Sequence, residues 1–197
     1  MTTVPRPHEI ACQQVLLEDS SVFSVQWLDL PRHLAAGITP EYLLERYLGH
    51  LRRFTLGLVR PRREGGKVRF CLIDTPWALL EFSPPRYDEE ATRRSLTLEI
   101  CGGFLVQPAL CDRGRLELAT EDLGEVLRLR LQLSDFCPLL LGSAQPSLAR
   151  RWLYRLTQAA IHKVVTVRFL LRLYRELEGP GACVRVVPVR VREGRPT

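Results

Sequence analysis

Chemistry in this chain starts with Lys163. At 100° per residue it falls between Ala160 and Val167 on an apolar helical stripe, where an unpaired ammonium is costly. Two readings stand side by side. The amine anchors a ligand carboxylate or acts as a nucleophile of lowered pKa, or its stem packs while its charge reaches solvent. His162, next to it, points to a different face and reads as a surface or partner-contact residue. His8, His33, His50 and His162 never pair at i,i+4, so no sequence-local zinc site is supported and neither metal nor cofactor is expected. Cys12, Cys71, Cys101, Cys111, Cys137 and Cys183 contain no C-x-x-C and read as buried free thiols. G-x-S-x-G and G-x-G-x-x-G are absent, and Gly65-Gly66-Lys67 lacks the spacing of a phosphate-binding loop. No enzyme class stands out.

The positive charge is concentrated. The chain carries +6 overall, but residues 150–197 hold 11 basic side chains against 3 acidic, while the remainder hold 17 against 19. This Arg-rich quarter is either a solvated face or a basic and apolar surface for anionic lipid or an acidic protein partner. Nucleic acid is not expected, because the aromatics form no obvious stacking platform. At 197 residues the chain suits one domain with a core that needs no disulfide or metal. No run approaches the ~18 uncharged apolar residues of a spanning helix. Residues 1–10 carry Pro5, Arg6, Pro7 and Glu9 rather than an apolar signal core, so a cytoplasmic location is expected.

The elements that would position these residues can be read in order. Residues 1–20 lack clear periodicity and read as a surface leader. Phe23, Val25 and Trp27 alternate with Ser24 and Gln26 as in a half-buried strand. Thr39 as N-cap and Pro40 at the first position predict a helix over 40–53. Strands are expected over 54–61, 67–74, 77–82, 96–101, 115–120 and 125–134, with Asp88-Glu89-Glu90 a loop and Gly102-Gly103 a bulge or sharp bend. Leu127, Leu129, Leu131 and Leu133 alternate with Arg128, Arg130, Gln132 and Ser134, the mark of an antiparallel sheet with one dry face. On the wet face, Glu99 and Glu117 are expected to pair with Arg128 and Arg130. A long helix is predicted over 147–178, with Leu156, Ala160, Lys163, Val167, Leu170, Leu171, Tyr174 and Leu177 on its core stripe, ended by Gly179-Pro180. Tyr154, Ile161, Val165 and Phe169 lie roughly opposite, so a second layer is expected there: the tail, the leader or a second subunit. Val184 to Val191 suits an edge strand, since Pro188 argues against a central one.

The fold class expected is therefore α+β: a single domain over 1–197, with a curved antiparallel sheet of about seven strands gripped by a long C-terminal helix. The core spans 22–178 and a basic tail 179–197. This element order resembles the helix-grip fold of the START-like, or polyketide cyclase-like (SRPBCC), superfamily over roughly residues 22–178. Two departures are a single helix after the first strand and the extra basic tail. The resemblance implies a cavity between sheet and terminal helix that binds a hydrophobic small molecule. It would be lined here by Leu127, Leu129, Leu131, Leu156, Ala160, Lys163 and Val167, unless these side chains simply fill a solid core. The alternative is an interaction module using the Arg-rich helix and tail for peripheral contact with an anionic membrane or a protein. A homo-oligomer is compatible with either.

Overall fold

A computed structural model describes residues 8–19, 21–106, 114–138 and 160–196. These form an α+β arrangement with one large, mostly antiparallel sheet and two α-helices. The strands are β1 (His8–Leu16), β2 (Val22–Pro31), β3 (Val59–Glu64), β4 (Lys67–Leu72), β5 (Ala78–Phe82), β6 (Arg86–Glu89), β7 (Arg93–Gly102), β8 (Arg115–Asp122), β9 (Val126–Phe136), β10 (Val184–Pro188) and β11 (Arg195–Pro196). The helices are α1 (Pro40–Phe54) and α2 (Ala160–Glu178). The sheet runs β10-β1-β2-β9-β8-β7-β5-β4-β3, with β11 on β1 and β6 on β7. Among the described residues only the β1–β10 pairing is parallel. Among the described residues the sheet has eleven strands, not about seven.

Helix α1 forms where its caps require. The Thr39 hydroxyl accepts from the Tyr42 N–H at 3.2 Å, and Pro40 occupies the first turn, where it has no N–H to leave unpaired. Leu43, Leu44, Tyr47, Leu48 and Leu51 recur at helical spacing and are buried. Helix α1 packs on β3, β7 and β8, and α2 packs on β1, β2 and α1, so both helices cover one face of the sheet. On that face Leu129, Leu131, Leu116, Leu118, Leu96, Leu98 and Leu28 form one buried core. The alternation along β9 is the expected one, with Leu129, Leu131 and Leu133 buried.

The structure corrects several expectations. Residues 8–16 are not a surface leader but β1, buried from Ile10 to Val15. Its register places Ile10 opposite Leu28 of β2 and Val186 of β10. The strand is buried on both faces, which removes the alternation that would have revealed it. Ser24 and Gln26, expected on a wet face, are buried, and Gln26 Nε2 donates to Ser24 Oγ at 2.8 Å. Phe23 and Val25 form a smaller cluster with Val15 on the other face. The C-terminal segment lies over that cluster: Gln13 Oε1 accepts from the Val191 and Arg192 N–H groups at 2.7 and 2.9 Å, and the Arg192 guanidinium sits 5.4 Å from the Phe23 ring centre. Residues 86–89 are β6, not a loop. Residues 54–58 belong to the end of α1 and the turn after it, not to a strand.

Glycine at 103 is required by close approach. Its φ is +120°, and a Cβ there would lie 2.5 Å from the Leu79 carbonyl oxygen. Strand β7 ends at Gly102, and the chain crosses β5, where the Phe104 and Leu105 N–H groups donate to the Ala78 and Leu79 carbonyls at 2.9 and 3.0 Å. The two glycines therefore end the strand in a sharp bend. The expected charge pairs are also different. Arg128 pairs with Asp29 through two hydrogen bonds of 2.7 and 2.9 Å, Arg93 with Glu117 at 2.6 Å and Arg86 with Glu99 at 2.9 Å. Register decides this: Asp29 lies directly opposite Arg128, a relation set by the β2–β9 pairing and invisible in local sequence.

Candidate functional site

Between α1, the start of the described part of α2 and the β3–β5 end of the sheet, side chains do not fill the space. A cavity of about 180 Å³ remains. Helix α1 contributes Tyr47 and Leu51, and β3, β4 and β5 contribute Val59, Phe70, Leu79, Leu80 and Phe82. The chain beyond Gly103 adds Leu105, strands β8 and β9 add Leu116, Leu133 and Phe136, and α2 adds His162 and Val165. The Gly103 crossing brings Leu105 to this wall. Phe70 and Phe82 meet edge to face at 5.1 Å, the arrangement aromatic rings favour, which stiffens the floor.

Among the described residues only Tyr47 and His162 bring ionisable groups to the lining, and neither is charged near neutral pH. Burial pushes the Tyr47 phenol up to about 12, a rise the neighbouring Thr166 hydroxyl partly opposes. Burial among apolar side chains lowers the His162 imidazole to about 4. The described lining therefore presents hydrocarbon, aromatic faces and two neutral polar groups. It suits a neutral apolar ligand with at most one or two hydrogen-bonding atoms.

Just outside this wall, His50 is buried between α1 and α2, its ring 5.7 Å from that of Phe169. Desolvation lowers its pKa, and Arg172, Arg53 and Arg168 act in the same direction. Arg46 and Arg172 both pair with Glu176, locking α1 to α2 beside it.

The residues expected to line a pocket are placed differently. Leu129 and Leu131 are buried in the core, and Leu127 and Val167 pack partly buried against it, but none of the four lines the cavity. Lys163 is exposed and does not enter it. Ala160 opens the described part of α2; Leu156, with the predicted helix residues 147–159, lies outside the described residues. On β9 the lining begins one step further along, at Leu133 and Phe136. On α2 the buried side is Val165, Thr166, Phe169, Leu170, Leu173 and Tyr174, about a quarter turn from the expected stripe. The physical cause is that α2 is apolar on two sides, so periodicity does not say which side meets the sheet. Spacing alone points His162 away from the core, whereas it faces the cavity. Two apolar groups at i,i+4 on that second side, Val165 and Phe169, are the signal in the sequence that could have placed it.

The remaining candidate residues find local explanations. Cys12, Cys71 and Cys137 are buried, whereas Cys101 and Cys183 are exposed, contrary to the reading of buried thiols. Among the described residues, no group of three or more His, Cys, Asp or Glu side chains could hold a metal ion. Arginines of α2 are engaged within the fold: Arg172 with Glu176 at 2.7 Å, and Arg168 5.8 Å from the Phe54 ring centre. Among the described residues no helix is long and apolar enough to cross a membrane.

Fold and site together define an α+β protein with an apolar cavity between two helices and a large, mostly antiparallel sheet. No family model and no curated protein matches the chain. Among solved structures it is similar to CalU16 from Micromonospora echinospora. The solution structure of that protein shares 13% identity, covers 90% of this chain and 78% of its own, and gives a TM-score of 0.39. The crystal structure shares 14% identity, covers 87% and 93%, and gives 0.33.

Proposed function

We propose that this chain binds a small, neutral, apolar molecule in the cavity between α1, α2 and the β3–β5 end of the sheet. The observation that carries this is a space of about 180 Å³ lined almost wholly by hydrocarbon. Protein interiors close such gaps by packing. An engineered apolar cavity of about 150 Å³ in another protein takes up benzene, so this one suits a ring system or a stretch of acyl chain. The helix-grip resemblance belongs to the same reading: β2, the strand before α1, pairs with β9, the last described strand before α2, and α2 packs on β1 and β2. No catalytic step is proposed, since the described lining holds no carboxylate, thiol or amine.

Fluorescence titration with 1-aminoanthracene, a neutral aromatic probe, tests this. Saturable binding displaced by an uncharged long-chain alcohol is expected. Val165→Phe, which fills the space, should weaken it about tenfold or more, while Lys163→Ala leaves it unchanged. A folded Val165→Phe variant that binds the probe as tightly as the parent would remove the cavity from the account.

A further inference from the structure

Five large apolar side chains stand exposed around the same end of the sheet: Leu56 at 92%, Leu58 at 55%, Ile73 at 42%, Trp77 at 65% and Phe104 at 61%. They come from three separate turns that hydrogen bonds hold together. The Ile73 N–H donates to the Leu58 carbonyl at 2.8 Å, the Leu72 N–H to the Trp77 carbonyl at 3.0 Å, and the Phe104 N–H to the Ala78 carbonyl at 2.9 Å. Val59, Leu79 and Leu105, next to these turns in the chain, line the cavity, so the exposed patch lies at the same end of the sheet as the cavity.

Backbone geometry makes this patch harder to explain as ordinary surface. Leu56 and Ile73 both sit in the left-handed region, with φ of 52° and 49°. A turn of that shape takes Gly, Asn or Asp by default, and a β-branched residue there is an outlier. Here both positions carry exposed hydrocarbon, which neither backbone preference nor solubility favours. Beside them lie Arg52 and Arg53, exposed at the end of α1 and without an ion pair among the described residues. Arg60 donates to the Gly57 carbonyl at 3.3 Å beneath the Leu56 turn, and Arg60 and Arg62 share Asp74. Apolar tips beside the two unpaired arginines, Arg52 and Arg53, complement an anionic bilayer, where the tips enter the acyl boundary and the guanidinium groups meet headgroup phosphates and carboxylates.

We propose that this patch rims the cavity mouth and docks the chain on an anionic lipid surface, with the mouth facing the hydrocarbon. The proposal rests on the cavity reading for its purpose, since a ligand could then pass from bilayer to cavity without crossing water. It uses a different surface from the Arg-rich C-terminal quarter.

Co-sedimentation of the full chain with vesicles of phosphatidylcholine, with and without phosphatidylserine, tests it. The parent should pellet with the anionic vesicles, more weakly at high salt, and its tryptophan emission should shift to the blue as Trp77 leaves water. The triple variant Leu56→Asn, Ile73→Asn, Trp77→Gln should need about tenfold more lipid or worse, as should Arg52→Gln with Arg53→Gln to a smaller degree. Asn suits a left-handed turn, so folding should persist, and unchanged 1-aminoanthracene binding would verify it. Probe binding without any vesicle binding by the parent overturns the docking and leaves the cavity standing. Vesicle binding unchanged by the triple variant overturns it too. So does a parent dimer that the triple variant converts to monomer in the absence of vesicle binding, which would assign the rim to a second copy.

Discussion

His162 shows what one side chain acquires from its surroundings. Its imidazole titrates at about 4 in the folded chain against an ordinary 6.5, because a charge in the apolar wall is poorly solvated. Between those values the unfolded chain binds more protons than the native one. Its contribution to stability is therefore fully present above about pH 6.5 and is lost as pH falls towards about 4. A shift of that size corresponds to about 3 kcal/mol at most, and solvent reaching the half-buried ring reduces it. His162→Phe should remove this dependence. Chemical denaturation should show the variant gaining on the parent by about 1–3 kcal/mol as pH drops through that window, with His50 common to both. A constant difference across the window would mean that the ring is already solvated. Gln13 is a second case. Its side chain is the acceptor for two backbone N–H groups of the C-terminal segment and donates to the Arg192 carbonyl at 2.5 Å. Gln13→Leu strands those groups at a cost of about 1–3 kcal/mol. Hydrogen exchange should accelerate at the Val191 and Arg192 amides before it does in β9.

At the scale of elements, the crossing at Gly103 ties β7 to β5 and delivers Leu105 to the cavity. Gly103→Ala must move either the backbone of β5 or its own, because no side chain is available to yield. A loss on the order of 3 kcal/mol is expected in urea denaturation, together with weaker probe binding, since the wall would open. Some elements are legible locally and others are not. Helix α1 is marked by Thr39, Pro40 and the spacing of Leu44, Tyr47, Leu48 and Leu51, all close together in the chain. Strand β9 is marked by four leucines at period two. Strand β1 carries no such mark, because both of its faces are covered: one by α2 and the other by the chain's own C-terminal segment, more than 170 residues away in sequence. Strand β6 is short and fully exposed, so its residues carry no apolar pattern to read.

For the whole molecule, the decisive feature is the gap between two helices and one end of a sheet. Leu118 lies in the solid part of the core and does not border that gap, so Leu118→Ala should cost about 2–5 kcal/mol in chemical denaturation. Leu133, which borders the gap, should tolerate Leu133→Met with a cost under about 1.5 kcal/mol, because Met can extend into free space. The amino-acid sequence alone settled the α+β class, the capped first helix, the leucine face of β9 and the expectation of a helix closing over the sheet, since each depends on periodicity and on residues near in the chain. Which side of α2 meets the sheet, which carboxylate meets Arg128 and where the wall fails to close were decided only by tertiary structure. Those outcomes depend on register and on the fit of surfaces distant in sequence, and a doubly apolar helix satisfies its local pattern equally well in either orientation.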